Sequence, residues 1–236
     1  MQVAPDFDVL YDQGPCLAVN KPPGLLTQAP AGIDSLEVRV KDFYRRREQK
    51  EGNIYLGLPH RLDRPVSGAI VLARHVRAAQ RISRQFEDRT VAKVYWAVVE
   101  GQVEPDEGTW TDHLHKRHGM PQAIVVPADD ERGKLAVLHY RVLARPAGRT
   151  WLEIELETGR THQIRIQSAS RGYPVVGDVQ YGAMQTFGEQ YEDERLRAIA
   201  LHARQLGFSD PMTREPVDIT APTPPAWRTL DLPNTS

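Results

Sequence analysis

The sequence His60-Arg61-Leu62-Asp63-Arg64-Pro65-Val66-Ser67-Gly68 leads directly into the apolar run 69–73, which reads Ala-Ile-Val-Leu-Ala. Prolines and glycines recur through 57–68, and they exclude a continuous helix or a central strand there. We therefore predict a loop over 57–68 and a buried strand that leaves it. The loop holds a carboxylate between two arginines, beside the core.

The chemistry of this loop centres on Asp63. A positive charge close to a carboxylate favours its ionised form, which suits a nucleophile or a base at neutral pH. The residues alone leave a second interpretation open, in which Asp63 is a structural ion-pair or turn residue.

Other apolar patterns predict the surrounding elements. Helical spacing predicts helices over 36–50 and 76–86, and runs rich in strand formers predict strands over 17–20, 92–100, 136–144 and 151–157. Because these elements alternate irregularly, we expect an α/β (α+β) fold with a central mixed, largely antiparallel sheet and flanking helices. A length of 236 residues fits a single domain over 1–236, with an extended tail from about 221 to 236.

Composition limits the setting and the partners of the protein. Cys16 is the only cysteine, so neither an internal disulfide nor a cysteine-based zinc motif can form, and a reducing, cytoplasmic setting is expected. The sequence contains neither the long apolar run of a membrane helix nor a secretory signal pattern at its start.

Basic residues form two runs, although the net charge of −1 argues weakly against nucleic-acid binding. Each run is either a surface for nucleic-acid phosphates or an ordinary solvated helix face. The first run is Lys41, Arg45, Arg46, Arg47 and Lys50, and the second is Arg74, Arg77, Arg81 and Arg84, spaced to align on one helix face.

A second polar segment, Gly159-Arg160-Thr161-His162-Gln163-Ile164-Arg165, follows the strand predicted over 151–157. We expect Thr161 to cap a helix of about three turns that ends near Gly172. Backbone amides at such a helix start suit an RNA phosphate, and His162 and Arg165 would project from one face. The alternative is an ordinary capped helix with a solvated arginine.

These two segments belong to a larger set of motifs that follow one another along nearly the whole chain. The further motifs are Asn20 to Gly24, Lys93 to Gly101, Gly172 to Asp178 with Tyr181-Gly182, and Leu201-His202-Ala203. In order and spacing the chain resembles the RluA-type pseudouridine synthases.

The resemblance implies an active-site cleft across the sheet and the isomerisation of uridine in RNA without a metal or redox cofactor. It implies that Asp63 is the catalytic aspartate, that Tyr95 lies against the base, and that Arg165 is the basic partner of the aspartate. The substrate-binding residues that it suggests are Arg61, which enters the RNA stack, Leu201, which lines an apolar pocket, and His60 and Arg160.

Three positions depart from the pattern of this family. Val66 stands where threonine is common, Gln167 where histidine often follows, and Asp210 precedes a proline where histidine is common. These departures bear on the choice of substrate.

The expected partner is a folded stem-loop of tRNA or ribosomal RNA. Many relatives carry an N-terminal RNA-binding domain of the S4 type, and the motif at Asn20 begins too early to leave room for one. We therefore expect a stand-alone catalytic domain that acts as a monomer.

Two other functions compete with this interpretation. His113, His115 and His118, with Asp112, suggest a metal-dependent hydrolase, but their spacing is loose and also fits a polar connection between strands. A non-catalytic RNA-binding module would keep the fold without isomerising RNA.

Overall fold

The computed structural model describes residues 5–116, 119–120 and 122–233. Its strands are β1 (Asp8–Gln13), β2 (Cys16–Lys21), β3 (Ser67–Ala73), β4 (Ala92–Glu100), β5 (Glu107–Lys116), β6 (Ala123–Val126), β7 (Lys134–Ala144), β8 (Arg149–Leu156), β9 (Leu201–Ser209) and β10 (Pro216–Thr220). Its α-helices are α1 (Leu36–Glu48), α2 (Val76–Glu87) and α3 (Gln163–Ala169), and short 3-10 helices span Val179–Tyr181, Glu194–Leu196 and Pro225–Leu230.

The chain forms two compact units. The first comprises Met1–Lys93 and Ala203–Pro222, and the second comprises Val94–His202 and Thr223–Ser236. The chain therefore passes from the first unit to the second within β4 and returns within β9. The single domain expected over 1–236 stays a prediction.

The first unit contains a sheet in the order β1-β2-β3-β9-β10. β1 with β2, β2 with β3, and β9 with β10 are antiparallel pairs. β2 and β3 are buried along their whole length, which explains why they read as continuous apolar runs. The strands predicted over 17–20 and 69–73 and the loop between 57 and the start of β3 are confirmed.

Both predicted helices of the first unit are present. Ser35 caps α1, because its hydroxyl accepts a hydrogen bond from the amide of Val38 at 3.3 Å. α2 packs Ala78 and Ile82 into a core that also contains Val71 of β3. Arg74, expected on the α2 face, lies before the helix, because the imidazole of His75 caps the first turn.

The second unit contains an antiparallel sheet in the order β4-β8-β7-β5-β6. Leu152 and Ile154 of β8 are fully buried, whereas Glu153 between them is half-buried and Glu155 after them is exposed. This alternation confirms the strand predicted over 151–157. Together, the two units confirm the expected mixed, largely antiparallel fold class.

Three predictions about elements differ from the structure. α3 has seven residues instead of about three turns, and its N-cap is His162 in the left-handed region rather than Thr161. Asp112, His113 and His115 of the histidine cluster lie in strand β5, not in a connection between strands, and His118 lies outside the described residues. The tail expected to be extended forms a 3-10 helix over Pro225–Leu230, because Trp227 and Leu230 are almost fully buried.

Candidate active site

The Asp63 loop is anchored on both sides of the aspartate within the first unit. The hydroxyl of Thr27 donates to the carbonyl of Leu62 at 2.8 Å and accepts from the Leu62 amide at 3.2 Å. The carbonyl of Arg64 accepts from the Gly24 amide at 2.8 Å, and Arg64 Nε donates to the Gly24 carbonyl at 2.8 Å. Both chain neighbours of Asp63 are therefore fixed, while its own side chain is half-buried.

Lys21 supports the same loop from the protein interior. Its side chain is fully buried, and Nζ donates to the carbonyls of Pro22 at 2.8 Å, Leu25 at 2.7 Å and Arg64 at 3.2 Å. Burial lowers the pKa of Lys21 to about 7, and the Asp63 carboxylate opposes that shift. An ammonium group has three protons to donate, so the three carbonyls match its charged form. The charged form of Lys21 thus lies within electrostatic reach of Asp63.

His60 begins the loop and is held by two neighbouring elements. Its Nε2 accepts a hydrogen bond from the Val71 amide at 3.0 Å, and its ring stacks on Phe86 of α2 with centroids 4.4 Å apart. Desolvation lowers the pKa of His60 to about 3, and the charge of Lys93 adds to this effect. His60 is therefore neutral near pH 7. Its hydrogen bond to Val71 and its stacking on Phe86 join the loop to β3 and α2. Arg61 beside it is exposed.

Gly68 lies where the loop becomes strand β3. Its φ is +120°, and a Cβ there would lie 2.4 Å from the carbonyl oxygen and 2.5 Å from the amide nitrogen of Ala203 in β9. Only glycine fits both the backbone conformation and this close approach. The direction in which the chain leaves the Asp63 loop depends on it.

In the second unit, a network of polar groups surrounds Arg165. The Arg165 side chain is only 3% exposed, and its guanidinium binds the Asp178 carboxylate through Nε at 2.6 Å and Nη2 at 2.8 Å. Nη2 also donates to Gln180 Oε1 at 2.7 Å, and the guanidinium lies 4.9 Å from the centre of the Tyr181 ring. These charge-assisted hydrogen bonds fix the position of the guanidinium.

Tyr181 links this arginine to His162. The Tyr181 hydroxyl is 2.8 Å from His162 Nδ1 and accepts from the Ala123 amide at 3.0 Å. His162 and Arg165 therefore both contact Tyr181, although His162 lies at the N-cap and not within the helix. The resemblance assigned no role to Asp178 or Tyr181, although both lie in the motifs that carry it.

The start of α3 differs from the expected anion site. Gln163 folds its side chain back, so that Oε1 accepts from the Arg160 amide at 3.0 Å and from the Thr158 hydroxyl at 2.8 Å. Arg160 Nε donates to the carbonyl of Leu135 at 2.8 Å. The predicted cap by Thr161 is wrong because the glutamine side chain binds the preceding turn instead. The phosphate expected at this helix start has no support from these contacts.

Tyr95 and Leu201 also lie in the second unit. Tyr95 is half-buried in β4, opposite Ile154 of β8, and Leu201 is buried at the start of β9. The first unit therefore holds His60, Arg61 and Asp63, and the second holds Tyr95, Arg160, Arg165 and Leu201. Within the first unit the structure brings Lys21 together with the Asp63 loop, which the sequence did not suggest.

Gln167, a departure from the family pattern, is fully buried in α3. Its Nε2 donates to Asp112 Oδ2 at 2.7 Å and to the Trp110 carbonyl at 3.1 Å. Arg171 binds the same Asp112 carboxylate at 2.8 Å. Gln167 thus holds α3 against β5.

The histidine cluster gives no metal site in the described part of the chain. No three histidine, cysteine or acidic side chains gather around a common point among the described residues, and His118 lies outside them. A membrane-spanning helix, long and apolar enough to cross a bilayer, is likewise missing from the described ranges.

The chain is similar to known proteins over most of its length. Residues 15–170 match the sequence model of the family described as RNA pseudouridylate synthase. The uncharacterized RNA pseudouridine synthase YlyB of Bacillus subtilis is 34% identical over 225 residues, which cover 93% of this chain and 70% of that protein. Ribosomal large subunit pseudouridine synthase D of Pseudomonas aeruginosa is 33% identical over 232 residues, which cover 93% and 69%.

A solved structure shows the same fold. The human RNA pseudouridylate synthase domain containing 4 superposes with a TM-score of 0.77 at 22% identity, over 96% of this chain and 95% of that one. The resemblance seen in the ordered motifs is confirmed, and the hydrolase interpretation is replaced. The chain belongs to the RluA-type family of RNA pseudouridine synthases, and it is an isomerase that acts on uridines in RNA.

Proposed function

We propose that the chain isomerises a specific uridine in a folded stem-loop of ribosomal RNA or tRNA, with Asp63 as the catalytic carboxylate. The observation that carries this proposal is the support of the Asp63 loop. Both neighbours of Asp63 are hydrogen-bonded to the segment 24–27, and the buried Lys21 ammonium lies nearby. Such a loop holds one carboxylate in place and leaves its side chain accessible.

The reaction sets clear demands on the protein. The bond from ribose C1′ to uracil N1 breaks, the base rotates, and a bond from C1′ to uracil C5 forms. The C5 proton is lost, and N1 gains a proton, so no oxidant or reductant is consumed. The base must leave the RNA stack and be shielded from water during these steps.

The remaining predicted site residues supply groups that match these demands. Tyr95 presents a flat ring and Leu201 an apolar surface for the flipped uracil. Arg165, held by Asp178 and Gln180, supplies a fixed positive charge as the partner of the aspartate. Arg61 is exposed and can enter the space that the base leaves.

His60 and Arg160 stand further from the chemistry in this proposal. His60 is neutral and anchors the loop, and Arg160 is tied to the Leu135 carbonyl. We propose that both act on RNA binding through the position of their loops. The protein would work as a monomer in the cytoplasm.

Ribosomal RNA is the first substrate to test, because one similar protein carries the name ribosomal large subunit pseudouridine synthase D. Transcripts of large-subunit ribosomal RNA and tRNA, tritiated at uracil C5, are incubated with the purified protein. Tritium release from one transcript, followed by mapping of a single pseudouridine, is the expected result. Binding to both RNAs with no release from either would support a non-catalytic RNA-binding module instead.

A further inference from the structure

The two basic runs of the first unit differ in how their charges are compensated. Four of the five basic residues in the α1 run bind a carboxylate. The pairs are Lys41 with Glu37 at 2.6 Å, Arg45 with Asp42, Arg47 with Asp12 at 3.0 Å, and Lys50 with Glu48 at 2.5 Å. Such pairs add little stability, but they cancel most of the local positive potential.

In the α2 run only Arg74 pairs with a carboxylate, that of Asp12 at 3.3 Å, and the other three arginines carry uncompensated charge. Arg77, Arg81 and Arg84 are exposed, and in the described ranges no carboxylate lies within 4 Å of any of them. Their spacing of four and three residues places them on one face of α2, over about 10 Å of helix. We call these three residues the arginine row.

Arg81 shows that this face is held in place without being neutralised. Its Nη1 donates to the carbonyl of Pro211 at 2.5 Å, in the turn between β9 and β10. A carbonyl carries no net charge, so the positive charge of Arg81 remains available to an anion.

The arginine row runs toward the Asp63 loop. α2 follows β3 after two residues and returns along the sheet, so that Phe86 in its last turn stacks on His60, three residues before Asp63. Arg84 lies two positions before Phe86. Two further basic residues, Arg89 and Lys93, follow the helix along the chain.

We propose that the arginine row of α2 binds the phosphates of the RNA strand that flanks the target nucleotide, and that the α1 run does not. This inference rests on the proposed function, because an RNA substrate explains why a nearly neutral protein keeps one uncompensated row of arginines. Guanidinium groups match phosphate oxygens in geometry and stay charged at any physiological pH. Contacts of this kind position RNA without reading its sequence.

The test compares two double variants with the wild type. Arg77→Gln/Arg84→Gln removes two charges of the row and keeps the Arg81 bond to Pro211. Arg45→Gln/Arg47→Gln is the matched control on α1, because both of these arginines pair with a carboxylate. Affinities for one ribosomal RNA transcript are measured from 0.05 to about 0.3 M KCl, and circular dichroism verifies that both variants are folded.

We expect the α2 variant to bind about 10- to 40-fold more weakly near 0.1 M salt, and its slope of log K against log salt to fall by about 1.5. The loss should appear in KM for RNA. The α1 control should keep the wild-type slope. An unchanged slope in the α2 variant, or an equal loss in the α1 control, would overturn the proposal.

Tritium release from the same transcripts separates this inference from the proposed function. If the wild type releases no tritium while the α2 variant shows the expected fall in slope, the enzymatic proposal fails and the proposal for the arginine row is supported. If the wild type releases tritium while the α2 variant keeps the wild-type slope, only the proposal for the arginine row is contradicted. Polyglutamate that competes as well as RNA at equal salt would point to an acidic protein partner and overturn the assignment to RNA.

Discussion

Lys21 is a buried lysine whose amino group donates hydrogen bonds to three backbone carbonyls. One of those carbonyls belongs to Arg64, directly after Asp63. The Lys21 side chain therefore closes the turn 21–25 and also fixes the Asp63 loop. When protonated, it also places positive charge near the Asp63 carboxylate.

Replacing Lys21 by Met should weaken both folding and activity. The substitution keeps much of the side-chain volume but leaves three buried carbonyls without their donor, and we expect a loss of about 2 to 4 kcal/mol in the free energy of unfolding. Urea denaturation measures this loss. Lys134→Met, at an exposed position of β7, is the control and should stay within about 0.5 kcal/mol of the wild type. A Lys21→Met protein as stable as the wild type would show that these contacts contribute nothing.

The pair of Arg165 and Asp178 permits a sharper separation of stability from catalysis. Asp178→Asn leaves a buried guanidinium without its counter-charge, and we expect a loss of about 3 to 5 kcal/mol in stability. In Arg165→Met/Asp178→Leu the apolar side chains replace the whole pair, so most of that stability should return. Thermal unfolding measures both variants.

Activity should not return in this double variant, since the proposed partner of Asp63 is absent from it. A double variant with wild-type tritium release would show that Arg165 serves the fold alone.

At the scale of elements, the junction of loop and strand at Gly68 sets the direction of the Asp63 loop. Gly68→Ala should destabilise the protein strongly, by about 3 kcal/mol or more, because the added Cβ meets the backbone of Ala203 in β9. Gly172→Ala is the matched control, since its φ is also positive at +83° but no atom lies within 4 Å of the added Cβ.

The control should therefore lose only about 1 kcal/mol, the cost of the backbone conformation. If urea denaturation gives both variants the same loss in free energy of unfolding, the close approach to Ala203 does not contribute to the effect.

The elements that the sequence predicted are those with a strong apolar pattern. β2 and β3 are buried on both faces, and α1 and α2 repeat their apolar residues at helical spacing, so each is visible in the sequence alone. β5 escaped notice because only Trp110 and Leu114 of its ten residues are buried, and the rest reads as a polar connection.

α3 was predicted too long for a different reason. Its limits depend on Gln163, which binds Thr158 and Arg160, and on the left-handed conformation of His162. These are side-chain choices that local propensity does not reveal.

At the scale of the whole molecule, the family and the reaction could be predicted because several motifs occur in one order along most of the chain. The partners of the motif residues could not be predicted. Lys21 and Arg64 are 43 residues apart, and Arg165 and Asp178 are 13 apart, so their contacts depend on the tertiary fold. The residues of the predicted site divide between two units that share β4 and β9.

The structure is also needed to tell which basic residues of the chain are paired with carboxylates. Two basic runs look equivalent in the sequence, yet the carboxylates around α1 pair with one run and leave the arginine row of α2 uncompensated. A net charge near zero therefore coexists with one surface that suits RNA phosphates.

The central claim is that Asp63 carries the isomerisation, and the most direct test is tritium release from a C5-tritiated transcript under single turnover. Asp63→Asn is compared with the wild type and with Asp129→Asn, an exposed aspartate in the turn after β6. We expect Asp63→Asn to bind the transcript normally and to release tritium about 100- to 10,000-fold more slowly, with Asp129→Asn unaffected. Release by folded Asp63→Asn at the wild-type rate would contradict the account.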